Sequence, residues 1–488
     1  MSRHFGIDFG TTTTAFVAYD PETGQYDHIG DHEGNPFRSI LIIDQLTGEL
    51  VYRGLDAWKQ RNLFQLDDSH IVMASVKQEL SSGRVWRTNT VHWQPEMAVT
   101  EILKEGVDEI LRRWPDTTLP IKAVMAVPVD FEYEERKKIK NAAINANIEV
   151  TQFVSEPSAA LVGWEGEIKH IRHAIVFDWG GGTLDVSVTK VSNGKISEHS
   201  KKGIRIGGDA IDDIFARYLH NQHREFHSNT PPFDGVRARR KDRMLIESER
   251  NKCLLSTEDL VEIYLPNYCG DRKFEEIIDR ETFEDVIQSK IQSVMETLNS
   301  ALSEESVSAD EIDQVLMVGG SSNIPIIRRR LDELFGARCV FPDRPGWLIA
   351  RGAAKLSSNP GSYRLSKSYG IVLSDNSFLP VLERDKPIDH ENKTITLGLV
   401  EDSREAKLII AESPSIRVEH DNYHIIDALL MNIPVTGYYF EPIEVSFRIK
   451  RDLSLQISAA AKFRQESKVE DKIYPHLKFI YDLGSHGI

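Results

Sequence analysis

Two short stretches of the chain, far apart, repeat the same order of residue types. Residues 5–13 read FGIDFGTTT and residues 175–183 read IVFDWGGGT. Each is an apolar run that ends in an aspartate and turns through small residues, where the backbone can approach an anion closely. Successive N–H groups in such a turn bind anions. Two tight turns in an α/β protein would explain one copy, but two copies favour a polyphosphate gripped from both sides.

An aspartate stands at the end of each apolar run, Asp8 in the first and Asp178 in the second. Hard oxygen ligands of this kind suit the hydrated Mg²⁺ that accompanies nucleotide phosphates. The repeated motif therefore predicts a site for a nucleotide with its metal.

Composition limits the other classes of function. The 488 residues carry a formal net charge of −16, which argues against nucleic acid and anionic membranes as partners. The three cysteines, Cys253, Cys269 and Cys339, lack metal-ligand spacing and suit a reducing compartment. Neither a secretory leader nor a run of about 18 apolar residues is visible, so we expect a cytoplasmic protein.

The chain changes character near residue 357. Before it, strand-like runs alternate with helices expected over 95–114, 132–147, 209–228, 236–254 and 281–304, a pattern typical of sheets covered by helices. Residues 357–368, rich in serine with Gly and Pro, are expected to be a linker. Residues 369–483 contain short alternating runs typical of an antiparallel β-domain, and 484–488 are expected to be a flexible tail.

Several segments, in this order, resemble motifs of the DnaK-type heat-shock 70 kDa chaperones, within the actin-like ATPase superfamily. GIDFGTTT and VFDWGGGTLDVSV are similar to the family's two phosphate loops, FVSEPSAAL to its connecting segment, and VLMVGGSSNIP to its adenosine segment. YGIVLSDNSFLPVLERDKPI resembles the start of its peptide-binding sandwich. The resemblance implies an α/β, duplicated ribonuclease-H-like, two-lobed ATPase domain over 1–356 and a small antiparallel β-sandwich over 369–483.

The resemblance also assigns roles around the phosphates. Asp8 and Asp178 would hold Mg²⁺ through its waters, and Lys77 would lie near the γ-phosphate, although a lysine is ordinarily a solvated surface residue. Glu156, Asp185 and Thr183 would order the metal, the attacking water and the γ-phosphate. The matching catalytic set is Lys77, Glu156, Asp178, Thr183 and Asp185.

The remaining positions follow from the same motifs. The nucleotide-binding positions implied are Gly10, Thr11, Thr12, Thr13, Gly180, Gly181, Gly182, Gly207, Gly208, Glu249, Lys252, Ser256, Gly319, Gly320, Ser321 and Asn323. Pro128 and Arg136 match a pair implicated in interdomain signalling. Glu249, Lys252 and Ser256 have a helical spacing that places them on one face, where charged residues are ordinarily just solvated.

The chain departs from the family pattern at several positions. Where two arginines commonly sandwich adenine, this chain has Cys253 and Asn323, which predicts weaker nucleotide affinity and relaxed base selectivity. Gly346 replaces an acidic residue, and Gln152 replaces the arginine that meets J-domain co-chaperones. The linker SYRLSKS has only Leu365 as a strongly apolar residue, and we expect the chain to lack the family's helical lid.

Three functions are compatible with these features. The first is a slow ATPase that binds Mg-ATP or ADP and controls polypeptide binding by a lidless β-domain, with a co-chaperone or nucleotide-exchange factor as further partner. The second is a nucleotide-sensing scaffold with little hydrolysis and one dedicated partner. The third, an actin-like filament former or sugar kinase, is disfavoured by the β-domain. Retention of the phosphate-end residues favours the first.

Overall fold

The structure is a computed structural model. It describes residues 3–483 apart from 64–68, 130, 132, 165–167, 228, 270–271, 360–361, 399–404, 421, 434–441, 451–452, 464–467, 475–476 and 478. The tail expected at 484–488 lies outside the described residues. By its contacts the chain divides into a first compact unit of residues 1–129, 138–191 and 198–359, and a second of 130–137, 192–197 and 360–488. The predicted domain limits stay a prediction.

Eighteen of the described strands precede residue 341. They are β1 (His4–Phe9), β2 (Thr13–Asp20), β3 (Gln25–Ile29), β4 (Phe37–Arg38), β5 (Leu41–Asp44), β6 (Leu50–Arg53), β7 (His70–Met73), β8 (Trp86–Arg87), β9 (His92–Trp93), β10 (Ile121–Val127), β11 (Ile148–Ser155), β12 (His173–Trp179), β13 (Leu184–Ser192), β14 (Lys195–Ile204), β15 (Leu260–Cys269), β16 (Arg272–Asp279), β17 (Gln314–Val318) and β18 (Cys339–Val340).

Ten α-helices accompany them in the described part of the chain. They are α1 (Gly54–Leu63), α2 (Val76–Glu79), α3 (Pro95–Arg113), α4 (Tyr133–Asn145), α5 (Glu156–Gly163), α6 (Gly208–Phe226), α7 (Ala238–Leu255), α8 (Arg280–Glu304), α9 (Pro325–Phe335) and α10 (Leu348–Ser358). Short 3₁₀ turns occupy Ile168–His170, Phe233–Gly235, Ala309–Glu311, Gly320–Asn323, Gly336–Arg338 and Pro345–Trp347.

The predicted helix α3 begins at a proline, which fits the first turn because proline lacks the N–H that has no partner there. Its buried residues recur at a helical spacing, from Ala98 through Ile102 to Ile110. The pattern of apolar residues therefore placed this helix within one residue of its observed end at Arg113. None of the helices in the described ranges has the length and apolar character that crossing a membrane requires.

Two sheets of the first unit share one topology. In the first, β1 pairs antiparallel with β2 and parallel with β10, and β10 pairs parallel with β11. In the second, β12 pairs antiparallel with β13 and parallel with β17, and β17 pairs parallel with β18. The duplicated sequence motif thus lies at the same turn of two equivalent sheets, between β1 and β2 and between β12 and β13.

The second unit is mainly β-structure. Its strands are β19 (Ser362–Leu365), β20 (Ser368–Val372), β21 (Ser377–Leu382), β22 (Lys393–Gly398), β23 (Glu405–Ser413), β24 (Glu419–His420), β25 (His424–Asn432), β26 (Pro442–Ile449), β27 (Leu455–Ala461), β28 (Lys468–Tyr474) and β29 (Phe479–Asp482). A five-stranded sheet of order β24-β21-β20-β23-β25 and a four-stranded sheet of order β22-β26-β27-β28 enclose a common apolar core.

Strand β29 pairs antiparallel with β19 over Phe479–Asp482 and also with Lys195–Ser197, a segment that belongs to the same unit. Part of the segment expected to be a linker is therefore a paired strand. The ring of Tyr481 is buried and lies 5.1 Å from the ring of Tyr363, and Arg364 is ion-paired with Asp482 at 2.5 Å.

Candidate functional site

The two motif loops adopt the same backbone turn. The N–H of Gly10 donates to the carbonyl of Thr13 at 3.0 Å, and the N–H of Gly180 donates to the carbonyl of Thr183, also at 3.0 Å. Each hydrogen bond closes the turn between an antiparallel pair of strands. The repeat in sequence is therefore a repeat in three dimensions.

The two loops lie directly against each other within the first unit. A Cβ atom added to Gly181 would lie 1.9 Å from Oγ1 of Thr12, and one added to Gly182 would lie 2.8 Å from Cγ2 of Thr11. The hydroxyl of Thr12 is buried and lacks a hydrogen-bond partner among the described residues. Because a buried polar group without a partner costs about 1–3 kcal/mol, this hydroxyl is an unused donor at the point where the loops meet.

The start of α6 wraps the second loop. The N–H of Gly208 donates to the carbonyl of Gly180 at 3.0 Å, and the N–H of Asp209 donates to the carbonyl of Gly181 at 2.7 Å. Ser321 donates its hydroxyl to the carbonyl of Gly180 at 2.8 Å. A Cβ atom at Gly207 would lie 2.3 Å from the carbonyl oxygen of Gly181, so glycine at this position is a steric requirement.

The carboxylates at the loop bases share a buried site with one lysine. Nζ of Lys77, on α2, lies 2.7 Å from Oε1 of Glu156, the first residue of α5. Burial and the charge of Glu156 raise the pKa of Asp8 to about 7. Burial and neighbouring carboxylates hold the pKa of Asp178 well above its usual range. Burial alone would lower the pKa of Lys77, but Glu156 and Asp8 raise it, so this lysine stays charged.

A second lysine, Lys201 on β14, forms an ion pair with Asp185, another carboxylate of the site. Its Nζ lies 3.2 Å from Oδ1 of Asp185, while the hydroxyl of Thr183 donates to Oδ2 of Asp185 at 3.1 Å. A cavity of about 10 Å³ adjoins Asp185 and Lys201 and reaches Glu156 and Asp178, a volume that suits one water molecule. Sequence reasoning missed Lys201.

The charges of the site are unbalanced. Four carboxylates, on Asp8, Glu156, Asp178 and Asp185, meet two lysines; Lys77 pairs with Glu156, and Lys201 pairs with Asp185. The two carboxylates with raised pKa, Asp8 and Asp178, are those at the loop bases. Like charges in a buried site favour protonation unless a cation neutralises them, so the donor set fits a divalent cation. In the described ranges, clusters of three or more His, Cys, Asp or Glu side chains that could hold a metal ion are absent.

Residues of α7 expected at the nucleoside end are partly engaged elsewhere. Nζ of Lys252 is buried and lies 2.7 Å from Oδ2 of Asp212 and 3.2 Å from the carbonyl of Gly208. The hydroxyl of Ser256 donates to the carbonyl of Lys252 at 3.2 Å, a bond within its own helix. Cys253 is exposed, and Asn323 ends the 3₁₀ turn that follows Gly319.

A cavity of about 320 Å³ opens beside the first loop, a size within the range of small-molecule sites. Thr11 and Thr12 of the first loop and Glu249 of α7 are among the residues that line it. Glu249 accepts hydrogen bonds from Arg38 at 2.7 Å and from Nε1 of Trp58 at 3.4 Å. The guanidinium carbon of Arg38 lies 5.0 Å from the centre of the Trp58 ring, a cation–π geometry.

Pro128 and Arg136, the pair expected to signal between domains, belong to different compact units. Pro128 follows β10 in the first unit. Arg136 is buried in the second unit, where its Nη1 donates to the carbonyl of Phe131 at 2.9 Å. The signalling role expected for this pair stays a prediction.

Comparison with known proteins gives consistent matches. The family model described as Hsp70 protein matches residues 88–476. Chaperone protein dnaK1 of Prochlorococcus marinus is 28% identical over 379 residues, which cover 72% of this chain and 56% of that protein. Chaperone protein DnaK of Metamycoplasma hominis is 26% identical over 484 residues, or 95% of this chain and 78% of the relative. Chaperone protein DnaK of Thermotoga neapolitana is 25% identical over 484 residues, which cover 93% of this chain and 77% of that protein. The chain thus spans little more than half the length of the Prochlorococcus relative.

Proposed function

Because this chain belongs to the Hsp70 family, we propose that it binds Mg-ATP between the two glycine-rich loops and hydrolyses it. Hydrolysis would control the binding of polypeptide by the β-rich second unit. The two equivalent sheets of the first unit would then be the lobes of an actin-like ATPase. The observation that carries the proposal is the pair of facing loops with four carboxylates and two lysines at their bases.

Backbone and hydroxyl donors of the loops are suited to the phosphates. The unpartnered hydroxyl of Thr12 would donate to a phosphate oxygen, and the glycines let the backbone come close. When bound, Mg²⁺ held through water by Asp8 and Asp178 would neutralise charge on the phosphate oxygens. ADP would occupy the same site after hydrolysis.

The protein's own cations and carboxylates would carry the chemistry. Lys77 lies beside Glu156, and its fixed charge would stabilise the negative charge that develops on the transferring phosphoryl oxygens. A water in the small cavity beside Glu156 and Asp185 would have acceptors for its protons. Positioning of this water would act together with the charge of Lys77 to accelerate the reaction.

The polypeptide site is proposed on the second unit, over residues 369–483. Two antiparallel sheets there share one apolar core, and the described residues beyond 361 form strands without a helix. An extended peptide would bind by main-chain hydrogen bonds with apolar side chains in pockets.

One observation favours the second candidate, a nucleotide-sensing scaffold with little hydrolysis and one dedicated partner. Ser362–Leu365, part of the expected linker, is paired with β29, and a paired segment is less free to transmit a signal. Retention of Lys77, Glu156 and Asp185 in one buried site favours hydrolysis.

Calorimetric titration with ATP, ADP and GTP, each with and without Mg²⁺, tests the site directly. The proposal predicts a 1:1 complex with ATP and ADP that tightens when Mg²⁺ is present. Absence of binding by any of the three nucleotides would contradict it. Equal affinity for GTP would show that Cys253 and Asn323 have relaxed base selectivity.

A further inference from the structure

We propose that Lys201 is a positioning residue of the hydrolytic site, and that it fixes both Asp185 and the attacking water. This inference rests on the proposed ATP hydrolysis. The sequence motifs of the site do not include Lys201, and the structure brings it there from β14.

Lys201 completes the fixation of the Asp185 carboxylate. Oδ1 of Asp185 faces Nζ of Lys201 at 3.2 Å, and Oδ2 accepts from the hydroxyl of Thr183 at 3.1 Å. The side chains of Lys201 and Asp185 are 15% and 23% exposed, so solvent screens their attraction only partly. One oxygen of the carboxylate thus has an ion-pair partner and the other a hydrogen-bond donor, and both contacts restrict its rotation.

The cavity beside this pair is lined by charged side chains as well as apolar ones, and the charged groups can bind a nucleophilic water. Its volume of about 10 Å³ adjoins Lys201, Asp185, Glu156 and Asp178, and a buried water requires two to four polar partners. The ammonium of Lys201 can donate to the water oxygen, and two carboxylates can accept the two water protons. One lone pair of the water is then left for phosphorus.

The hydrolytic step follows from that arrangement. The water oxygen forms a bond to the γ-phosphorus while the bond from phosphorus to the β,γ-bridging oxygen breaks. ADP leaves with the bridging oxygen and its electron pair. One water proton passes to the Asp185 carboxylate and then to solvent, and the other stays on inorganic phosphate. The ammonium of Lys201 stays protonated throughout and keeps the water oriented.

Lys201 also offsets charge that would otherwise accumulate. Asp185 is close enough to contribute to the raised pKa of Asp178. Removal of the Lys201 charge would leave one lysine, Lys77, to face four carboxylates.

The next residue along the strand provides a matched control. Lys202 is adjacent in sequence to Lys201, but its Nζ lies 2.8 Å from Oε2 of Glu304, and its side chain is 38% exposed. Because successive side chains of a strand point to opposite faces, a change at Lys202 alters the same local charge without touching the cavity.

The experiment measures single-turnover ATP hydrolysis and ATP affinity for Lys201→Met, Lys201→Ala and Lys202→Met in the full chain. We expect Lys201→Met to hydrolyse ATP about 100-fold more slowly than the wild type. Its Kd for ATP should stay within about threefold of the wild-type value, because Lys201 orients the water and does not bind the nucleotide. Lys202→Met should keep the wild-type rate. Lys201→Gln, which retains a donor without the charge, replaces Lys201→Met if that variant does not fold, and the same loss is expected.

Chemical rescue separates positioning from a merely structural role. Methylammonium added to Lys201→Ala should restore hydrolysis at least about tenfold and saturably, because it returns a cation to the vacated space. It should not restore Lys201→Met, whose side chain fills that space. A wild-type rate in Lys201→Met, or no rescue of Lys201→Ala, overturns the role of Lys201 alone. Absence of hydrolysis by the wild type, with ATP bound, overturns the proposed function as well.

Discussion

Nζ of Lys77 lies 2.7 Å from Oε1 of Glu156, and the two side chains are only 11% and 9% exposed. The pair joins α2 to α5, and its two residues are 79 positions apart in sequence. Two charges with so little solvent around them depend on each other, since an unpaired buried charge is costly. Lys77, a residue type that is ordinarily solvated, is thus half of a buried ion pair at the base of both loops.

Removal of one partner of this pair should destabilise the first unit. Lys77→Met leaves the Glu156 carboxylate buried without its cation, and we expect the free energy of unfolding to fall by about 3–5 kcal/mol. The double variant with Glu156→Gln should recover most of that loss, because the carboxylate that Lys77 pairs with is removed together with the lysine. Urea denaturation of both variants measures the difference. Equal stability of the wild type and Lys77→Met would show that the pair is not closed in solution.

Contact between the second loop and the start of α6 can be tested with one methyl group. In Gly207→Ala the new Cβ would lie 2.3 Å from the carbonyl oxygen of Gly181, so the second loop must move. We expect ATP affinity to fall at least about tenfold, equivalent to about 1.4 kcal/mol. Gly235→Ala is the matched control, because its Cβ would meet its nearest neighbour at 3.6 Å. Calorimetry that gives the same affinity for both variants would place the nucleotide elsewhere.

The raised pKa of Asp8 predicts proton release on binding. With a pKa of about 7 in the folded protein and 3.8 as the ordinary value, the folded state holds more protons than the unfolded state between these limits. The free energy of unfolding therefore decreases as pH rises from about 4 to about 7. A metal that needs the ionised carboxylate should displace this proton. The affinity for Mg-ATP should therefore increase as the pH rises toward the Asp8 pKa of about 7.

Calorimetry in two buffers of different ionisation enthalpy measures that proton. At pH 7 the wild type should release more protons on binding Mg-ATP than Asp8→Asn does. The Glu156 and Lys77 charges that act on Asp8 are unchanged in this variant. Equal proton release by the two proteins would assign the titration to another group.

Strand β29 should contribute strongly to the second unit. Tyr481 is 2% exposed and packs against the ring of Tyr363. Loss of a large buried aromatic side chain costs about 3–5 kcal/mol, so Tyr481→Ala should lower the free energy of unfolding of this unit by that amount. It should also speed amide hydrogen exchange in Ser362–Leu365, the strand paired with β29. An unchanged rate of amide exchange in Ser362–Leu365 would mean that pairing with β29 does not protect this strand.

Local patterns in the sequence predicted the loops and the helices well. Small residues after an apolar run occur at both turns, where Gly10 and Gly180 make the same hydrogen bond. The helix expected over 281–304 is Arg280–Glu304, because apolar spacing and the capping Asp279 are encoded within the segment itself. Such features depend on neighbours along the chain, which a sequence shows directly.

Features that depend on distant pairing could not be predicted. Lys201 and Lys202 are adjacent lysines, and only the fold decides that one meets Asp185 and the other meets Glu304. Arg38 reaches Glu249 across 211 positions. The same limit explains why Ser362–Leu365 was expected to be a linker, since its partner β29 lies more than a hundred residues further on.

Single-turnover hydrolysis of Mg-ATP by the wild type and by the folded Lys77→Met/Glu156→Gln variant tests whether the buried site hydrolyses ATP. If the buried site performs the chemistry, the wild type should release inorganic phosphate, and the variant should do so at least about 100-fold more slowly while it still binds ATP. Equal rates in the two proteins, or no phosphate from the wild type with ATP bound, would contradict the account.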